Sequence, residues 1–227
     1  MRLNAYLARA GAASRRGADK LIVAGRVKVN GKTGQLNDDV SDDDRVELDG
    51  KPISAQKLRY ILLHKPAGYV TTLSDPHGRR KVTDLINIAE RVVPVGRLDY
   101  DTTGALLFTN DGELANRLMH PSFEVDKTYE AEVEGEITSE VLNKLSNGIE
   151  LDDGMTSPAQ VRILSVNRIE LTIHEGRNRQ IKRMLEAVGL PVIKLHRSQY
   201  GSLNLEGLKV GQWRDLSKDE TLQLQGV

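Results

Sequence analysis

The chain has no cysteine, which excludes disulfide staples and thiolate metal sites and fits a reducing, cytoplasmic compartment. Its five histidines, at 64, 77, 120, 174 and 196, show no zinc-like pairing, so no metal site is expected. No apolar run is long enough to span a bilayer, and the first residues lack the apolar core of a signal peptide, so no membrane association is expected. Low-complexity tracts and internal repeats are missing too. So is net charge: 32 Lys and Arg balance 32 Asp and Glu. That balance conceals a local asymmetry. Residues 1–32 carry eight Lys/Arg and one Asp, whereas residues 33–50 carry seven Asp/Glu and one Arg. Segregation on this scale marks a binding segment. At 227 residues the chain suffices for one large domain, or a small one joined to a medium one.

What is present begins with two short helices. Leu3, Tyr6, Leu7 and Ala10 recur at helical spacing, and Gly11 stops the run. Ser14 is placed to cap a second helix, with Ala18, Leu21 and Ile22 inward and Arg15, Arg16 and Lys20 outward. After Gly25, residues 26–29 alternate polar and apolar into an Asn30-Gly31 turn, and Val46 and Leu48 continue the strand pattern. The basic side chains form a patch able to neutralise phosphates, or an ordinary solvated face. The acidic stretch 38–44 is expected to face away from any polyanion. Residues 52–57, short and polar, read as a linker with a hinge near Pro52.

Beyond residue 59, short apolar runs alternate with helical stripes, which points to an α+β fold with a mainly antiparallel sheet. Two places stand out. Gly96-Arg97-Leu98-Asp99-Tyr100-Asp101-Thr102-Thr103-Gly104 is a loop by composition, followed by an apolar strand at 105–108. Asp99 and Asp101 beside an Arg suit a nucleophile or base kept ionised by opposite charge, or simply a tight turn with a structural ion pair. The second place is 174–184, where Arg179, Lys182 and Arg183 share a face at a helix start. Cations there oppose the macrodipole unless an anion, phosphate or an Asp, sits nearby. Between them, Tyr129, Ala131 and Val133 form the inner face of a strand. A buried Tyr129 needs a partner for its hydroxyl or a ligand against its ring.

Three motifs in order give the chain a resemblance. The 96–104 loop followed by Leu107-Phe108-Thr109-Asn110-Asp111-Gly112, then Lys127-Thr128-Tyr129, then Glu175-Gly176-Arg177-Asn178-Arg179-Gln180-Ile181-Lys182-Arg183-Met184, is similar to bacterial ribosomal RNA pseudouridine synthases. Residues 1–48 resemble the αL RNA-binding motif that this family carries. The stretch 112–121 is most similar to the branch acting on large-subunit rRNA. The resemblance implies an isomerase that needs no cofactor, with residues 1–51 as the RNA-binding domain, 52–58 as the linker and 59–227 as the catalytic domain, whose mainly antiparallel mixed sheet is flanked by helices. It implies Asp99 as nucleophile, at ring carbon six or ribose carbon one or through a glycal. Tyr129 would lie against the uracil and handle a proton at ring carbon five. Lys182 would be the positive partner of Asp99, with Arg183 or Arg179 as alternatives, and Arg97 and Thr102 would support the loop. Arg15, Arg16, Lys20, Arg26, Lys28, Arg79, Arg80 and Arg177 would contact RNA. The target base must be flipped out, at a cost of roughly a few kcal/mol. The expected partner is ribosomal RNA, free or in an assembling subunit, bound by a monomer. Two other functions fit part of the pattern: small-subunit rRNA as substrate, and a non-catalytic rRNA-binding assembly factor. A carboxylate-pair hydrolase using Asp99 and Asp101 ranks last, because neighbours in one loop tend to point apart.

Overall fold

Apolar spacing places the first helix, α1 (Leu3–Arg9), with Leu3, Tyr6 and Leu7 buried. The second, α2 (Arg15–Val23), starts where Ser14 Oγ accepts the Gly17 N–H at 3.0 Å. These elements come from a computed structural model that describes residues 1–41 and 43–226. Strands β1 (Val27–Val29), β2 (Lys32–Thr33), β3 (Val46–Leu48) and β4 (Lys51–Ile53) make an antiparallel sheet in the order β2-β1-β3-β4. Val27 and Val46 close a small core against Leu7 and Ile22.

This unit comprises Met1–Arg59 together with Ile88–Val92 and Thr109–Gly112. It corrects the expected linker. Pro52 lies within β4, an edge strand where a missing N–H is tolerated. The residues after it are tied down as well: the Gln56 N–H bonds the Arg9 carbonyl at 3.1 Å, and the Asn110 amide bonds the Lys57 carbonyl at 2.8 Å. The acidic stretch is used locally. Asp39 pairs with Arg2 at 3.1 Å, and Asp44 accepts from the Ser41 N–H and from Asn30, which hold its carboxyl below the usual range. Asp42, part of the same stretch, lies outside the described residues.

The larger unit holds β5 (Tyr60–Lys65), β6 (Val93–Pro94), β7 (Thr103–Thr109, all but its last residue), α3 (Gly112–Met119, all but its first), β8 (Lys127–Val133), α4 (Ser139–Asn147) and the hairpin β9 (Glu150–Leu151) and β10 (Gly154–Met155). Then follow β11 (Gln160–Ser165), β12 (Arg168–Ile173), α5 (Gln180–Ala187), β13 (Val192–Tyr200), β14 (Leu203–Asn204), β15 (Trp213–Asp215) and α6 (Lys218–Gln225). Its nine-stranded sheet runs β11-β12-β8-β13-β7-β5-β15, with β14 added to β13 and β6 to β7. The pairs β11–β12, β12–β8, β8–β13 and β5–β15 are antiparallel, and β13–β7 is parallel. This is the mixed, mainly antiparallel sheet that the alternating strands predict. Leu107, Leu114, Leu118 and Leu224 pack together over it.

Gly104 makes the parallel join possible. It pairs with Arg197 at a φ of +117°, and a Cβ there would stand 2.2 Å from the Arg197 carbonyl oxygen. Among the described residues no helix is long and apolar enough to cross a membrane.

Candidate active site

A cavity of ≈ 420 Å³ opens between the 96–102 loop, the end of α3, β8, β13 and the turn before α5. Its size falls within the usual range of ligand pockets. Five basic side chains (Arg97, Lys127, Arg177, Arg179 and Arg197) and two carboxylates (Asp99 and Glu175) line it, so it attracts anions.

The loop hangs between β6 and β7 and is held from two sides. Thr71 Oγ1 bonds the Leu98 carbonyl at 2.7 Å. From beneath, the fully buried Lys65 of β5 gives its ammonium to the carbonyls of Thr102, Asp99 and Pro66 at 2.8, 2.9 and 3.1 Å, with Tyr100 farther at 3.4 Å. Burial pulls this amine down to about 8, while Asp101 and Asp99 act to raise it. Asp99 itself is half-buried, and no side chain among the described residues bonds or ion-pairs its carboxylate. Thr102 is buried and its Oγ1 has no partner among the described residues.

Opposite the loop, Tyr129 on β8 is buried and lies beside Arg197 on β13, whose Nη1 is 3.4 Å from the Tyr129 hydroxyl. Lys127 donates to the Val125 and His174 carbonyls at 2.8 and 3.0 Å. Burial, reinforced by Arg197, lowers it to about 8. The turn into α5 is knotted by Glu175, which accepts from the Ser157 N–H at 3.0 Å and from Gln180 at 2.5 Å. Gln180 in turn accepts the Arg177 N–H at 2.9 Å.

The family described as RNA pseudouridylate synthase matches residues 59–187, and the S4 domain matches residues 1–46. The chain belongs to the RNA pseudouridylate synthase family. It is 49% identical to the ribosomal large subunit pseudouridine synthase B of Bacillus subtilis (strain 168), over 100% of this chain and 96% of that one. It is 42% identical to the protein of the same name from Yersinia pestis, over 99% of this chain and 75% of that one. A crystal structure of a pseudouridylate synthase superposes with a TM-score of 0.73 at 30% identity, covering 99% of both chains. The S4-plus-synthase architecture and the α+β fold expected from the sequence are those of this family.

The structure places Asp99, Arg97, Thr102, Tyr129 and Arg179 on the wall of one cavity. It places the other basic residues differently. Lys182 does not meet Asp99. Its Nζ lies 2.6 and 2.7 Å from the two oxygens of Asp101, whose carboxyl it holds below the usual range. Arg183, offered as an alternative, pairs with Asp152 and with Asp153, the latter at 2.8 Å. Arg179, the other alternative, is exposed, caps α5 at a φ of +49° and makes no ion pair among the described residues. Arg177, expected on RNA, instead secures the β9–β10 hairpin. Its guanidinium bonds the Gly154 and Met155 carbonyls at 2.7 and 2.5 Å and pairs with Glu175 and Asp153 at 3.3 Å each.

Arg15, Arg16, Lys20 and Lys28 are exposed on the small unit, whereas Arg26 is engaged by Asp49 at 2.5 and 2.8 Å. Arg79 is held by Asp75 at 2.6 Å, and Arg80 is exposed. Sequence reading missed Lys65 and Arg197. A strand-period signal existed for both. Lys65 follows Ile61 and Leu63 on the inward positions of β5, and Arg197 follows Leu195 on β13.

Proposed function

We propose that this protein isomerises one uridine of large-subunit ribosomal RNA to pseudouridine, with Asp99 as the nucleophile. The observation that carries the reading is the Asp99 carboxylate, half-buried, without a hydrogen-bonding partner among the described residues, in a predominantly basic cavity beside Tyr129. The names of the relatives support the large subunit as the source of the substrate. The rearrangement breaks the C1′–N1 bond and forms C1′–C5. The C5 proton leaves and N1 gains one, so no atom is added or lost and no co-reactant is called for.

Asp99 attacks ring carbon six or ribose carbon one, or promotes elimination to a glycal. Tyr129 bears on the flipped base and handles the proton at ring carbon five. Lys182 acts at one remove, by holding Asp101 and with it the loop. Arg97, exposed at the cavity, and Arg179 take the flanking phosphates. The small unit binds RNA through Arg15, Arg16, Lys20 and Lys28, and the larger unit carries the chemistry. The protein acts in the cytoplasm as a monomer, on rRNA free or in an assembling subunit.

The test is pseudouridine mapping on rRNA from cells lacking the protein, complemented with wild type or Asp99→Asn. One large-subunit site should vanish and return only with wild type. Restoration by Asp99→Asn removes Asp99 from the mechanism, and loss of a small-subunit site overturns the substrate.

A further inference from the structure

The chemistry proposed above leaves one buried charge without a task. Arg197 sits in the cavity wall, 2% exposed. Its Nε donates to the Ala105 carbonyl at 2.7 Å and its Nη1 reaches Tyr129, but its Nη2 has no partner among the described residues. No carboxylate among them forms an ion pair with it. Two rings flank it, with the guanidinium carbon 5.0 Å from the centre of the Tyr200 ring and 5.9 Å from that of Tyr129. Its charge also bears on Lys65 and Lys127, both cations. Arginine does not shed its charge when buried, and a buried ion lacking a counterion is destabilising. Contact with aromatic faces offsets only part of that cost. A fold that needed mere bulk here would do better with an apolar side chain.

We infer that Arg197 is the fixed positive charge against which negative charge builds on the uracil ring during isomerisation. The inference rests on uridine occupying this cavity beside Asp99. When the C1′–N1 bond breaks, its electron pair passes to the base, and the ring carries one negative charge spread over its nitrogens and carbonyl oxygens. That charge is discharged when a ring electron pair forms C1′–C5, the C5 proton leaves and N1 is protonated. With a nucleotide filling the cavity and water excluded, a cation already fixed in the wall stabilises the anionic ring without reorganising. Through Nη1 the same guanidinium holds the Tyr129 hydroxyl, so Arg197 also acts as a positioning residue for the ring that touches the base.

The experiment measures single-turnover consumption of the target nucleotide in an rRNA fragment carrying either uridine or 5-fluorouridine at that position. Fluorine stabilises the uracil anion and makes the base less dependent on an external charge. Arg197→Met should lower the rate on uridine by about 10²–10³-fold, and the loss on 5-fluorouridine should be at least about tenfold smaller. Arg197→Lys, which keeps the charge, should stay within about tenfold of wild type, while Arg197→Gln falls with Arg197→Met. Equal losses on both substrates, or equal losses in the Lys and Gln variants, overturn the inference and leave Arg197 a structural residue. If Arg197→Met does not fold, the Lys and Gln comparison decides. Failure of the underlying reading looks different: wild type consumes neither nucleotide, or Asp99→Asn consumes uridine at the wild-type rate.

Discussion

Replacing Lys65 with Met separates the stability of the larger unit from the geometry of its loop. Two effects of similar size oppose each other. Without the ammonium, the Thr102 and Asp99 carbonyls lose donors at 2.8 and 2.9 Å. Leaving a buried acceptor unpaired costs about 1–3 kcal/mol each. Against this, the amine is depressed from 10.5 to about 8, chiefly by burial. At about 1.4 kcal/mol per pKa unit, removing that charge returns about 3 kcal/mol. Methionine fills most of the same volume, so no large cavity opens. The net loss of stability is therefore about 3 kcal/mol or less. The loop, however, loses the anchor that fixes the backbone of residue 99. A misplacement of about 1 Å at a reacting group costs about 10²-fold in rate. Urea unfolding should show a modestly shifted midpoint with an unchanged slope. Single-turnover conversion of the RNA should fall about 10²-fold while its affinity stays near wild type. A rate within about threefold of wild type would refute the clamp, and a stability loss above about 4 kcal/mol would refute the offsetting of the two terms.

Two further predictions follow from the same neighbourhood. Gly104→Ala must bring a Cβ to 2.2 Å from the Arg197 carbonyl at a φ of +117°, so thermal unfolding should show a loss of at least about 3 kcal/mol, and an unchanged Tm would mean that β7 and β13 can separate freely. Lys65 and Lys127 are both lowered to about 8 by burial, whereas unfolded lysine titrates near ~10.4, so between those values the unfolded chain binds more protons. Their contribution to stability therefore rises with pH from about 8 to about 10. Activity moves the other way, since a neutral Lys65 has lost its charge and one N–H. The rate should decline above pH 8 with no loss of folded protein by circular dichroism, and a flat rate to about pH 10 would show that the neutral amine still holds the loop.

Much of the fold is legible because its causes are local. Ser14 caps α2, and the alternation of Tyr129, Ala131 and Val133 sets the buried face of β8. Where reading failed, a distant partner or an overlooked cap was responsible. Pro52 looks like linker punctuation, yet Glu47 pairs with it and draws it into an edge strand. The last helix, α6, carries a complete capping box between Ser217 and Glu220, a local signal strong enough to have marked it. Strand β15 has no such signal. It exists because Trp213 pairs with Leu63, a contact far away in sequence.

The site divides the same way. Asp99 and Tyr129, which line the cavity, sit in contiguous motifs that single them out as candidates. Lys65 reaches acceptors 34 and 37 residues away, and Arg197 reaches across 92 and 68 residues, so no window of sequence contains both partners. Charge pairing is harder still, because it depends on which of several neighbouring ions wins. The sequence offers Lys182 and Arg183 to Asp99. The fold gives Lys182 to Asp101, two residues on, and gives Arg183 to Asp152 and Asp153. Asp99 is thus left in the field of the buried Lys65, with no ion pair to its carboxylate among the described residues. A carboxylate bound tightly by a guanidinium or ammonium has its lone pairs occupied. One without such a partner keeps its lone pairs available. The cations lining the cavity and the absence, among the described residues, of any on the Asp99 carboxylate are therefore two parts of one arrangement, with the neighbouring acids absorbing the close contacts.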